Sequence, residues 1–274
     1  MPVPLQDLVR HIDQLLDVAR FRDYCPNGLQ VEGRARVHRL VSGVTACQAL
    51  LEAAVEQRAD AILVHHGYFW RGEAEPVVGM KRRRLATLLE HDISLLAYHL
   101  PLDAHPELGN NARLGALLGM IDVQRLDPGD ATAVGNIGHL PAPRKVVDVL
   151  GDIAQLTGRT PLHVGNPEQS VRRIAWCTGA AQSYIGQAVT AGADLYLTGE
   201  ASEPTVHIAR EEGIHFVAAG HHATERYGVQ ALGEHLAAEF GLEHRFIDLD
   251  NQVSAGRFSD PARVWAGARC RIPR

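Results

Sequence analysis

Three short stretches of this chain place imidazole and carboxylate groups where they could grip a metal ion. His65-His66 closes an apolar run and is followed by Gly67, His99-Leu-Pro-Leu-Asp103 follows the next apolar run, and His221-His222-Ala-Thr-Glu225 leaves a third. Imidazole and carboxylate donors without thiolates suit a Lewis-acidic divalent ion such as Zn, Fe or Mn. Neighbouring side chains on a strand point to opposite faces, so His65 and His66 would hardly reach one ion from a regular strand. A turn at Gly67 relaxes that limit, and two ions roughly 3.5–4 Å apart would let each histidine serve a different one. Residues four apart share a helical face, so His221 and Glu225 can converge on one ion while His222 points elsewhere. Asp103, in a loop shaped by Pro101, is a candidate bridging ligand. Taken singly, each stretch also has a plain structural reading, as a packed or solvated histidine, a helix-capping aspartate or a helix N-terminus. Their combination favours a metal site.

Such groups need strand ends to position them. Apolar runs at 40–44, 60–66, 93–99, 174–178, 194–200 and 215–221 alternate with helical runs, which predicts α/β architecture. Functional groups in such proteins gather where strands end and loops begin. The pattern also repeats. Residues 40–66 laid over 174–200 share seven identities in 27, and at an offset of 122 His99 falls on His221 and Asp103 on Glu225. Leu114, Ala116 and Gly119 likewise fall on Leu236, Ala238 and Gly241. An internal duplication is expected, giving two structurally related α/β lobes with the metal site in the cleft between them. The expected division is 1–128 and 129–251, with turn chemistry at Asp127-Pro128-Gly129-Asp130. A tail over 252–274, with five Arg against one Asp, reads as an appendage without assigned function.

Bulk properties exclude several alternatives. A formal charge of −5 offers no basic field for nucleic acid. The run Lys81-Arg82-Arg83-Arg84 opens a helical pattern and reads as a solvated face. The N-terminus is amphipathic and lacks the apolar stretch of a signal peptide or membrane span. Four scattered cysteines without a C-x-x-C pair indicate a reducing, cytoplasmic setting and no thiolate metal site. Neither a P-loop nor a dinucleotide fingerprint is present.

The sequence resembles the Nif-three-like family, whose members are named GTP cyclohydrolase 1 type 2 homologues. The matching elements are Asn27-Gly28-Leu29-Gln30-Val31, LVHHGYFW (63–70), YHLPLDAH (98–105) with Asn110-Asn111, DLYLTGE (194–200) and GHHATERYG (220–228). They run in family order over about residues 1–251. The resemblance implies two similar lobes, a dinuclear metal site in their cleft and a toroidal homohexamer. It would make His65, His66, Asp103, His221 and Glu225 the ligands and His99 a neighbouring ligand or proton carrier. With about 45 residues between Asp127 and Arg172, the chain matches the short form that lacks an inserted domain.

The expected function is metal-dependent hydrolysis of a small molecule, nucleotide-type by the resemblance. Asp103 and Glu225 would retain the ions, and His99 or Glu200 would shuttle a proton. The repeat singles out Glu200, which stands where His66 stands in the first unit; a helix-capping role is its alternative. Asn27 and Gln30 could present amides to a substrate or hold a turn. The rival reading is a metal-binding scaffold or regulator acting through a ring-shaped oligomer, which needs no open coordination position.

Overall fold

The run Ala61–His66 is buried at every position except its last, as expected of a central parallel strand covered on both faces. It lies in the middle of a five-stranded sheet ordered Glu243–Phe246, Arg39–Thr45, Ala61–His66, Ser94–Ala97, Gly28–Val31. The first four strands are parallel, and Gly28–Val31 pairs antiparallel at the edge. The structure, a computed structural model, describes residues 2–251. The expected tail over 252–274 lies outside the described residues.

A second sheet has six strands, ordered Ile121–Arg125, Asn136–Lys145, Ser170–Trp176, Leu195–Thr198, His215–Ala218, Leu162–Val164. Its three consecutive strands Ser170–Trp176, Leu195–Thr198 and His215–Ala218 are parallel and their neighbours antiparallel. Helices pack on both sheets, so the chain is two related α/β lobes.

The duplication is visible in register and in hydrogen bonds. Leu40 pairs with Ala61 in the first sheet and Ile174 with Leu195 in the second, each pair displaced by the repeat offset. Asp60 Oδ2 accepts the backbone N–H groups of His38 and Arg39, both at 2.8 Å. Asp194 Oδ2 does the same for Arg172 and Arg173, again at 2.8 Å. Each aspartate thus satisfies two N–H groups where its parallel sheet begins.

Two strands cross the division expected near residue 128. Ile121–Arg125 precedes that point yet pairs in the second sheet, and Glu243–Phe246 follows it yet pairs in the first. The helices make the same exchange. Helix His221–Phe240 begins beyond a second-sheet strand, but its Val229, Leu232 and Leu236 are buried with Leu40, Leu63 and Leu96 of the first. Helix Asn110–Leu117 follows the first lobe's Asp103, and its Leu114 is buried with Ile174, Trp176 and Leu195 of the second. Each such side chain contributes about 1.5–3 kcal/mol by burial, so the exchange fastens the lobes to each other. The helices also touch, for Asn110 Oδ1 accepts the Gly228 N–H at 2.8 Å. A Cβ on Gly228 would stand 2.6 Å from that oxygen, so only glycine permits the approach.

Among the described residues no helix is long and apolar enough to cross a membrane. The basic run lies on helix Gly79–Glu90, where Arg82 and Arg83 face solvent, Lys81 sits over Phe69 and Arg84 over Tyr68.

Candidate metal centre

Strand Ala61–His66 brings both of its histidines to the candidate metal centre, His66 lining the cleft between the sheets and His65 fully buried behind it. His65 Nε2 stands 3.5 Å from Asp103 Oδ2 and 3.6 Å from Glu225 Oε1. His66 Nε2 stands 3.2 Å from Glu225 Oε2, and His221 Nε2 is 3.0 Å from the same oxygen. Although a regular strand points adjacent side chains to opposite faces, the two rings lie with centroids only 4.6 Å apart, and both approach Glu225. Among the described residues, His65, Asp103 and Glu225 form one cluster that could hold a metal ion, and His66, His221 and Glu225 form another. Glu225 is common to both. His99 completes a third grouping with His65 and His66, with ring centroids 5.0 and 5.7 Å away.

The second nitrogen of every imidazole is tied back to the protein. Nδ1 of His65 meets the Tyr98 carbonyl at 2.9 Å, and Nδ1 of His66 meets Thr45 Oγ1 at 3.2 Å. Nδ1 of His99 meets Asp23 Oδ1 and Nδ1 of His221 meets Glu200 Oε1, both at 2.7 Å. A partner on one ring nitrogen fixes orientation and tautomer, leaving the other as a ligand; metal-binding histidines are built this way. The buried His65 Nε2 and Glu225 Oε2 have no well-aligned hydrogen-bond partner, the carboxylate oxygen despite imidazole nitrogens at 3.0 and 3.2 Å, although leaving a buried polar atom unsatisfied costs about 1–3 kcal/mol. Donors held in place, with orphaned atoms between them, fit a divalent cation.

Burial governs the electrostatics. His65, Asp103 and Glu225 are 0%, 6% and 3% exposed, so their charges need partners. Burial pulls the His65 imidazole down, but Asp103 and Glu225 outweigh it and hold it at about 9. His221 is pulled the same way, and Glu225 and Glu200 lift it to about 9. Burial prevails at His66, which falls to about 3. It raises the Asp103 carboxyl, whereas at Glu225 His66 and His65 overcome burial and keep the acid well below its ordinary value. Burial drives the Cys177 thiol far upward, and among the described residues Cys177 belongs to none of the clusters that could hold a metal ion.

Several supporting residues escape sequence reasoning. Asp23 holds His99 and also accepts the Leu100 N–H at 2.9 Å. Asn110 Nδ2 donates to Asp103 Oδ1 at 2.8 Å, and Asn111 Oδ1 accepts the Thr178 N–H from the second lobe at 3.0 Å. The sequence pattern marks the Asn110-Asn111 pair without giving it a role. Asp23, like Thr45, gives no signal, because its partner is distant in sequence. Gly179, at φ 69°, must lack a side chain because a Cβ there would fall onto Glu225 Oε1.

Asn27 and Gln30 are not among the residues lining the cleft. The Asn27 side-chain oxygen accepts the His99 N–H at 2.7 Å, and its Nδ2 donates to Asp23 at 2.9 Å. Gln30 donates to the carbonyls of Pro26 and Tyr68 and accepts the Tyr68 N–H at 2.7 Å. Its amide fills the space left by Gly67, where a Cβ would collide with it. His222 turns away to Asp248 at 2.8 Å.

The Duf34/NIF3 (NGG1p interacting factor 3) family model matches residues 3–252. A Pseudomonas aeruginosa protein named GTP cyclohydrolase 1 type 2 homolog is 60% identical over 251 residues, covering 92% of this chain and 99% of the relative. Among solved structures, protein ybgI, of unknown function, superposes with a TM-score of 0.86 at 50% identity, over 91% of this chain and 99% of that one. TTHA1606 from Thermus thermophilus superposes with a TM-score of 0.81 at 37% identity, over 92% and 100%.

Proposed function

The chain belongs to the Duf34/NIF3 family, and from that premise we propose that it is a metal-dependent hydrolase. In this reading His65, His66, Asp103, His221 and Glu225 hold two divalent ions of zinc, iron or manganese. The observation that carries it is the pair of three-residue clusters sharing Glu225, with the far nitrogen of each histidine already engaged. Bound ions of this kind lower the pKa of coordinated water and polarise a scissile group.

The remaining residues position and move protons. Asp103 and Glu225 retain the cations. His99, with Nδ1 held by Asp23, uses Nε2 to take a proton from the attacking water and return it to the leaving group. Glu200 acts by orienting His221, and Asn27 acts by fixing the His99 backbone. Gln30 supports the turn at Gly67. The substrate is a small molecule, and the name carried by the relatives suggests a nucleotide type. A cytoplasmic setting suits the free Cys25, Cys47 and Cys177. The ring-shaped homohexamer of the family resemblance is checked by the mass of the purified protein in solution.

The test compares hydrolysis of a nucleotide and phosphoester panel by metal-loaded native protein and by metal-loaded Asp103→Ala. A loss of at least 100-fold in the variant, about 2.7 kcal/mol, is expected. Equal rates remove the enzymatic reading and leave a metal-binding scaffold.

A further inference from the structure

The cleft in front of the clusters has a composition that bears on what enters it. Its volume of about 580 Å³ falls within the range of small-molecule sites. Away from the candidate ligands and beside the aliphatic Leu100 and Val134, its largest side chains are aromatic: Tyr24 and Trp70 from the first lobe and Tyr184 from the second. Trp70 stands edge-on to His99 with centroids 5.0 Å apart, and Tyr24 is edge-on to the same ring at 6.4 Å. The indole is held by a hydrogen bond from Nε1 to the Gly67 carbonyl at 3.1 Å. Tyr24 nevertheless remains 59% exposed. Tyr184, partly buried, lines the same cleft from the second lobe.

Charge supplies the second observation. Among the described residues, no lysine or arginine lines the cleft. Arg71, next to Trp70, turns its guanidinium onto the Asp23 carbonyl at 3.0 Å. Sites that recognise phosphate chains lean on Arg and Lys donors. Asp103 and Glu225 would already offset half the charge of two divalent cations. A triphosphate chain would then carry more negative charge than that remaining half, with no Lys or Arg among the described lining residues to balance the excess, and uncompensated charge in a confined site is costly.

We propose that the cleft recognises its ligand through a planar nitrogen heterocycle of nucleobase type, stacked on Tyr24, Trp70 and Tyr184, and makes no use of a polyphosphate chain. Aromatic rings receive such heterocycles through their faces with little regard for substituents, each stack being worth about 1–3 kcal/mol. The inference rests on reading the clusters as a metal centre and narrows the substrate of that same site.

The test is calorimetric titration of the full, zinc-loaded chain with the four common ribonucleosides, with GTP and with inorganic triphosphate. At least one nucleoside is expected to bind within about threefold of GTP, and triphosphate at least tenfold more weakly than that nucleoside. Tyr24→Ala and Trp70→Ala should each weaken the nucleoside at least tenfold, about 1.4 kcal/mol, with metal content unchanged. Trp70→Phe should stay within about threefold of native. The proposal is overturned if no nucleoside binds, if GTP binds at least tenfold more tightly than every nucleoside, or if removing either ring costs nothing. Binding is read without turnover, so a chain that binds the ring but hydrolyses nothing loses the hydrolase proposal alone.

Discussion

The two lobes carry the same step, a histidine at a strand end and a carboxylate four residues later, yet they use it differently. In the first lobe His99 leans on Asp23, a residue outside the repeat, and Asp103 is held by Asn110. In the second, His221 leans on Glu200, which occupies the position of His66 within the repeat, and Glu225 meets three imidazoles. The strand before the step ends in His65-His66 in one lobe, whereas in the other it ends at Thr198 and is followed by Gly199-Glu200. Gly199 is constrained sterically, since a Cβ there would stand 2.7 Å from the His221 Cα. Duplication thus supplied two equivalent frames. Divergence at two adjacent positions put paired histidines on one side and a histidine-orienting carboxylate on the other.

The two carboxylates are expected to differ most when each is neutralised. Glu225→Gln removes the group common to both clusters and is expected to reduce metal from about two ions per chain to nearly none. Asp103→Asn should leave about one. Elemental analysis after purification without chelator reads both, and equal losses would mean that Glu225 is not the shared ligand.

The exchanged helices come next. Leu232→Ala in the second lobe's helix and Leu114→Ala in the first lobe's should each cost about 2–5 kcal/mol, read from urea unfolding. Both side chains are 0–1% exposed in the opposite lobe's core. A cost below about 1 kcal/mol at either would show that the exchange is not what fastens the lobes.

A finer probe weighs Asp23 against Glu200. If each orients one histidine, Asp23→Asn and Glu200→Gln should weaken metal affinity by similar factors, about 10–100-fold. Loss of turnover in Glu200→Gln with unchanged affinity would instead make Glu200 a proton carrier.

The smallest effect, per step, is that of pH. Raised to about 9 by their carboxylates, His65 and His221 hold protons at pH 7 that a cation must displace. Metal binding should release about two protons per chain and strengthen about tenfold per pH unit for each proton. Chelator-treated protein should behave oppositely. A histidine raised above its unfolded value stabilises fully below about 6.5 and loses that contribution as pH rises through 9, so its urea midpoint should fall between pH 7 and 9. Calorimetry in two buffers counts the protons, and none released would contradict the assignment.

Much of this site is legible from local pattern. Apolar runs with histidines at their ends mark Ala61–His66 and its neighbours as strands, and the four-residue spacing puts His221 and Glu225 on one helical face. Strand alternation does not foretell that the His65 and His66 rings lie with centroids 4.6 Å apart. What stays hidden depends on contacts between distant segments. Nothing local to Asp23 points to His99, and nothing in Leu114 or Leu232 says that each packs on the other lobe. The amides of Asn27 and Gln30 illustrate the converse, since a polar side chain in a loop looks free until its partners fold back upon it.

The front half's histidines and the back half's His221 and Glu225 are expected to grip cations together. Anomalous scattering from crystals of protein purified without chelator tests it directly. Two peaks are expected per chain, one beside His65 and Asp103 and one beside His66 and His221, with Glu225 reaching both. Peaks lying elsewhere, or none at all, would contradict the account.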